Sequence, residues 1–458
     1  MTERTPNTAL AALIREAGWS NGEVARAVNR VGTEYGLRLR YDDSAVWHWL
    51  AGSMPRQRVR PAVLEAFARR LHRPVVPREA GFGATGKASG EIVETSADTG
   101  AGTDMATSLI DLGSADMDPS RRSILGAAGV FSAALALNVP AYAEAADRLE
   151  TVGRDPHTRI GHGEVDAVAA MTEKISELDD RFGGRTARPL AAAFLVNTVA
   201  PHLKADAPED VRRAMLSAAA DHLYLTGYMA MDERRDGLAQ SYYLKALELA
   251  REAHDHLTYC TTLRGMSVMA VDLGHSRVSL RLAESASAAS PQAGPRMVAF
   301  LAGQQAHAAA RTGDRRIALA KIGEAERAME RAESQAKAFG SYDPSSLAYH
   351  VAQVRYELGD KAAAIDLLEE SDRLRHSVYR RGRVRHLGLL AERKLEVGRL
   401  EEACGHWRLM LEEYPHVQSG RCDDRFTSML AALAPYRRNP RARDLYDRAR
   451  ATRTTARA

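Results

Sequence analysis

Cysteine is scarce. The 458 residues hold three, Cys260, Cys404 and Cys422, far apart and without a C-x-x-C pair. That spacing excludes a disulfide framework or a thiolate zinc ribbon and suits a reducing cytoplasm. Lysine is nearly as rare, so arginine carries almost all the positive charge; this fits GC-rich coding and is not by itself a nucleic-acid signal. No apolar run has clean transmembrane length, and Met1 to Pro6 lead into no apolar core, so neither a membrane span nor an amino-terminal signal is expected. Strand-period alternation is also missing beyond about residue 160. No nucleophile elbow, catalytic pair or deaminase signature occurs. His254 and His256 have no acidic or cysteine partner at ligand spacing. The chain therefore reads as a non-enzyme with no cofactor and no metal.

What is present is amphipathic helix, enough for two or three domains. Charge divides the amino-terminal part sharply. Residues 1–78 carry 13 Arg and 7 acidic residues, whereas residues 79–118 carry 8 acidic residues and one Lys. A basic head on an acidic tether suits binding to phosphate. The head contains SAVWHWLAGSMP, Ser44 to Pro55. At helical spacing Val46, Trp49 and Leu50 face a core, while Ser44, Trp47, His48 and Ala51 face out. Asp43 or Ser44 can cap this helix, and Gly52 and Pro55 end it. Upstream, Ser20 with Glu23 fits a capping box, and Val24, Ala27, Val28 and Val31 form an apolar stripe. Leu10, Leu13 and Ile14 supply a helix before them, and Val63, Leu64, Phe67 and Leu71 one after.

These helices and the W-x-x-G-x-x-P exit resemble the helix-turn-helix of phage-repressor (XRE) type over about residues 8–75. One departure is the Arg-rich insertion RVGTEYGLRLRYDD between the two central helices, where Arg38 and Arg40 would touch phosphate or form a small wing. The resemblance implies that the start of the recognition helix, Ser44, Ala45, Trp47 and His48, reads base edges. Asn21 at a helix start would hold a phosphate. Arg56, Arg58 and Arg60 would hold the adjacent backbone.

Residues 79–118 read as a flexible linker of Gly, Ala, Ser, Thr and Asp. Within it GFGATGKA imitates a phosphate-binding loop, but Ala88 follows the lysine and no buried strand precedes it, so no nucleotide is expected. Residues 119–145 contain S-R-R-S-I-L at Ser120 to Leu125 and an apolar stretch. They imitate an export signal, but lie internally, and the reading is a connecting helix docked on the next domain. Residues 146–435 repeat a helix–Gly–helix pattern around Gly274, Gly313, Gly359 and Gly398, with an earlier copy around Gly227 and Gly237. The pattern resembles degenerate tetratricopeptide repeats, which stack into a superhelix with a concave face. Asn197, Tyr224, Tyr228 and Tyr242, with Tyr243, are placed on helices that can line it. Residues 436–458 form a basic tail, 8 Arg against 2 Asp.

The whole arrangement resembles XRE-type transcriptional regulators with tetratricopeptide-like domains, and more distantly peptide-sensing quorum regulators. The fold expected is all-α: an amino-terminal bundle, a linker and a carboxy-terminal helical solenoid. The resemblance implies a cytoplasmic homodimer on double-stranded DNA whose repeats take a peptide, metabolite or protein. A scaffold whose head docks protein is the competing reading.

Overall fold

The structure, a computed structural model, describes residues 5–34, 37–82, 104–118, 131–137, 139, 155–289, 293–332, 342–375 and 379–455. Its fold is all-α, with a bundle at the amino terminus and helical repeats at the carboxy terminus. A small parallel pairing of β1 (Asp155–Arg159) with β2 (Ala205–Asp206) is the extended structure among the described residues.

The head packs α1 (Thr8–Ala17), α2 (Asn21–Glu34), α3 (Asp43–Leu50) and α4 (Arg60–Leu71) around Leu10, Val24, Val28, Val46, Val63 and Phe67. The capping box forms as the sequence predicts: Glu23 accepts from the Ser20 N–H at 2.8 Å, and Ser20 Oγ from the Glu23 N–H at 3.3 Å. α3 is capped one residue earlier than expected, by Asp42, whose Oδ1 accepts from the Ala45 N–H at 2.9 Å. The head also runs past residue 78. A 3-10 turn at Pro77–Ala80 leads to buried Phe82, and Asn7 donates to the Ala80 carbonyl at 2.9 Å.

The expected linker 79–118 therefore needs correcting at both ends. Its last part is α5 (Met105–Met117), whose Ala106, Leu109, Leu112 and Asp116 are buried. Leucines spaced by three residues among small ones make one apolar stripe, and acidic composition hid it. Gly83 to Lys87 and Ala88, the imitation phosphate loop, lie outside the described residues. So do Arg121 and Arg122. Of the expected connecting segment, α6 (Ala133–Leu137) is described, together with buried Phe131, which joins the main core.

The repeat domain opens with α7 (His162–Phe182), α8 (Gly184–Phe194), a π-helical turn at Leu195–Val199 and α9 (Ala200–Lys204). Six helix pairs come next: α10 (Glu209–Asp232) with α11 (Asp236–Glu252), α12 (His256–Asp272) with α13 (Ser276–Ala288), and α14 (Pro295–Arg311) with α15 (Arg315–Glu330). Then come α16 (Pro344–Glu357) with α17 (Lys361–Leu374), α18 (Arg380–Glu396) with α19 (Leu400–Glu413), and α20 (Gly420–Leu433) with α21 (Pro440–Thr455). From α10 to α19 the turn inside each pair places a residue with positive φ two positions beyond the first helix: Arg234, Gly274, Gly313, Gly359 and Gly398. Glycine enters that left-handed region without steric cost. Asp314 and Asp360 then cap the second helix through Ile317 N–H at 2.9 Å and Ala363 N–H at 3.2 Å.

The earliest turn is Arg234, not the expected Gly227 or Gly237. Gly227 sits inside α10, where a Cβ would meet the Tyr243 ring at 2.9 Å. The basic tail is corrected as well. α21 buries Ala442, Leu445 and Ala449 against α19 and α20, so it closes the array, with Arg441, Arg443, Arg448 and Arg450 exposed.

The array curls until its ends meet. The Gln418 N–H donates to the Phe182 carbonyl at 2.6 Å, and the Arg185 N–H to the Gln418 carbonyl at 3.1 Å. Arg381 on α18 pairs with Asp179 at 3.0 Å and Asp180 at 2.8 Å on α7, and reaches Asp232 on α10 at 3.4 Å.

Candidate functional site

α3 has two faces. Val46 and Trp49 are buried, with Trp49 edge-on to Tyr41 at 5.0 Å between ring centres. Ser44, Trp47 and His48 are exposed, and Ala45 is half-buried beside them. Trp47, a large apolar side chain, is 58% exposed with the repeats in place. Its ring meets that of His48 at 5.0 Å and a steep angle. The outward face therefore carries a hydroxyl, an indole and an imidazole, the groups needed for hydrogen bonds to base edges and apolar contact with a thymine methyl.

Residues 37–42, between α2 and α3, are held to the head by side chains of α2. The Asn29 side chain donates to the Tyr41 carbonyl at 2.8 Å and accepts from the Tyr41 N–H at 2.9 Å. Leu39 packs so closely on Gly32 that a Cβ there would meet it at 2.3 Å. Arg38 and Arg40 project outward from this strap, and Arg56 and Arg58 project from the segment after α3; all four are exposed. Arg60 differs. Its Nε donates to the Pro55 carbonyl at 3.1 Å, and its guanidinium lies 5.9 Å from the Phe82 ring centre. It is bent back onto the head instead of reaching out, because α4 begins there and presents it to the 3-10 turn. Asn21 stands half-buried at the start of α2, just after the Ser20 cap.

The head is docked on the repeats through α4. Glu65 and His275 are 3% and 2% exposed, and His275 Nε2 lies 2.9 Å from Glu65 Oε1. His72 Nδ1 is 3.3 Å from the Gly274 carbonyl, and Arg69 braces Glu65 at 2.7 Å. These contacts use the α12–α13 turn and leave the outward face of α3 open.

The four residues placed on the concave face separate. Tyr224 is buried and stacks on Tyr243 at 6.0 Å. Tyr228 is half-buried, with the Arg381 guanidinium 5.1 Å from its ring centre. Burial alone would raise the Tyr228 phenol, but the charges of Arg381, Arg421 and Arg385 prevail and hold it below its ordinary value. Tyr242 is a correction. It is completely buried, and its hydroxyl donates to Asp116 of α5 at 2.9 Å, within a cluster where Arg188 also pairs with Asp116. Adjacent positions on a helix diverge by about 100°, so Tyr242 points at α5 while Tyr243 points at Tyr224. Asn197 is also corrected. It lies exposed on the π-helical turn and donates to the Ala193 carbonyl at 2.9 Å, a bond within its own helix.

Sequence reasoning missed the charge where the array closes. Arg234, Arg385, Arg421 and Arg425 meet there with Asp272 and Asp424. The available signal was the spacing of Arg421 and Arg425, one turn apart on a helix, beside the arginine-dense start of α18.

A family model described as the SP15 N-terminal domain matches residues 10–83. The matched stretch runs from α1 to just past Phe82, the extent of the packed head. No curated protein and no solved structure matches the chain.

Proposed function

We propose that this chain is a sequence-specific DNA-binding transcriptional regulator, with an XRE-type helix-turn-helix head and a tetratricopeptide-like domain that senses a ligand and pairs two copies. The observation that carries the reading is the division of α3: Val46 and Trp49 held in the core, Ser44, Trp47 and His48 presented outward. Exposed Arg38, Arg40, Arg56 and Arg58 lie on the segments either side of that helix, where phosphate contacts belong. The outward face stays open although the head is docked, so the repeats need not release it before it meets a groove.

The match over residues 10–83 supports treating the head as one module. Among the described residues no helix is long and apolar enough to cross a membrane, which accords with a protein acting where the chromosome is.

The test is selection of binding sites from random duplex DNA by full-length protein, followed by electrophoretic shifts at about 50 and 200 mM salt, between which phosphate-dominated binding falls steeply. A recovered motif with paired half-sites is the expected result. Absence of any shift would favour a scaffold whose head docks protein.

A further inference from the structure

The arginine cavity at the closure of the repeat array has a charge balance that its own residues leave incomplete. It holds about 210 Å³ and is lined by the four guanidiniums of Arg234, Arg385, Arg421 and Arg425 against the two carboxylates of Asp272 and Asp424. Arg234, in the first turn, pairs with Asp424 at 2.5 Å. Arg421 pairs with Asp272, and Arg425 reaches outside the cavity to Glu392 at 2.5 Å. Arg385 makes no hydrogen bond or ion pair among the described residues, and the Asp272 charge acts on it only at longer range. It is half-buried, and burial, then the charge of Arg421, holds its guanidinium below its ordinary pKa. Withdrawing a guanidinium from water beside another cation costs free energy unless an anion joins it.

We propose that the repeat domain binds a phosphoryl dianion, carried by a small phosphate monoester, in this cavity, with Arg385 as its principal ligand. Arginines approach from three directions: the α10–α11 turn, α18 and α20. A tetrahedral anion has acceptors in all those directions, whereas a planar carboxylate is satisfied by one or two guanidiniums. Ser428, one turn beyond Asp424, adds a hydroxyl to the lining. The volume is below the roughly 300–1,000 Å³ of sites for drug-sized ligands, which limits the ester to a small one.

The lining residues come from opposite ends of the array, the α10–α11 turn and α12 against α18 and α20, so the ligand would tie the closure together. The inference gives the sensor half of the proposed regulator a ligand class and rests on that half alone. Its test contains no DNA, so its failure would leave the DNA reading standing.

Calorimetry on the full-length protein, free of phosphate, is run with inorganic phosphate, phosphoserine and malonate. Saturable binding of phosphate, tighter for phosphoserine, is expected, with malonate much weaker. Arg385→Gln should lose roughly ten- to hundredfold in affinity, the worth of one charge-assisted pair. Because Arg385 has no ion-paired carboxylate to lose, and burial and the Arg421 charge outweigh its attraction to Asp272, the unfolding midpoint of Arg385→Gln without phosphate should equal or exceed that of the unmodified chain. A structural arginine would instead lower it. No binding of either phosphate compound, malonate binding more tightly than phosphate, undiminished binding by Arg385→Gln, or a destabilised Arg385→Gln chain would each overturn the proposal.

Discussion

At the scale of single residues, the outward side chains of α3 and the arginines beyond it should divide the labour of recognition. His48→Ala is expected to cost about 1–3 kcal/mol on the selected site and far less on random DNA, as the loss of a base contact does. Arg56→Ala should weaken both duplexes alike and reduce the salt slope by about one, as the loss of a phosphate contact does. Equal losses from the two variants in paired shift titrations would take His48 off the base-reading face. A different residue-scale effect belongs to Asp221 on α10. Burial, then the charge of Asp255, lifts its carboxyl from 3.8 to about 7, and its Oδ1 is buried without a hydrogen bond. Its folded pKa exceeds its unfolded one, so this group favours the native state below about pH 4 and ceases to as pH rises towards 7. Asp221→Asn should thus be more stable than the parent chain at about pH 8, with the gap shrinking towards pH 4. Urea unfolding across that range would decide; a constant gap would mean that Asp221 is charged in the folded chain.

At the scale of helices and turns, the same local chemistry was legible in some places and hidden in others. Gly313-Asp314 and Gly359-Asp360 announced their turns because a positive φ and a cap fall on adjacent residues. Arg234 does the same conformational work with no such signature, and Gly274 is followed by a histidine committed to the head. The face division of α3 was readable because burial there follows helical spacing. α5 was not: a single apolar stripe within an acidic, small-residue stretch looks like a tether until Arg188 and Tyr242 are seen around Asp116. The arginine cavity was unreadable for a plainer reason, since its lining is gathered from helices up to about two hundred residues apart. The turn logic has a matched test. Gly359 has φ +90 and Gly405 lies within helical α19, and a Cβ at either would touch nothing within 4 Å. Gly359→Ala should cost about 1–2 kcal/mol through backbone strain alone, whereas Gly405→Ala should gain roughly 0.5–1 kcal/mol. Denaturant unfolding of both variants checks this, and equal shifts would contradict the turn conformation.

For the whole molecule, the arrangement of head on repeats depends on a few polar contacts at one turn. Glu65, held by Arg69, meets His275; His72 meets the Gly274 carbonyl. Phe131 lies over the His275 ring at 5.4 Å, and the backbone of Ser132 exchanges hydrogen bonds of 2.7 and 2.9 Å with the Gln240 side chain on α11. The segment ahead of α6 therefore braces the joint on which the head sits. A buried polar contact of this kind contributes direction more than affinity, because each partner gave up water to make it. In a dimer, a fixed head would set the distance between two recognition helices and so the half-site spacing that DNA must supply. His275→Ala removes the contact to Glu65 without uncapping α13, since the His275 side chain makes no capping bond. Glu65 keeps Arg69, so the head should stay folded. The expected result is a larger radius of gyration by solution scattering, unchanged affinity for a single half-site, and a loosened preference among paired half-sites of different spacing. If His275→Ala scatters like the parent chain and keeps its spacing preference, other contacts hold the head, and the α12–α13 turn is not the element that sets its direction.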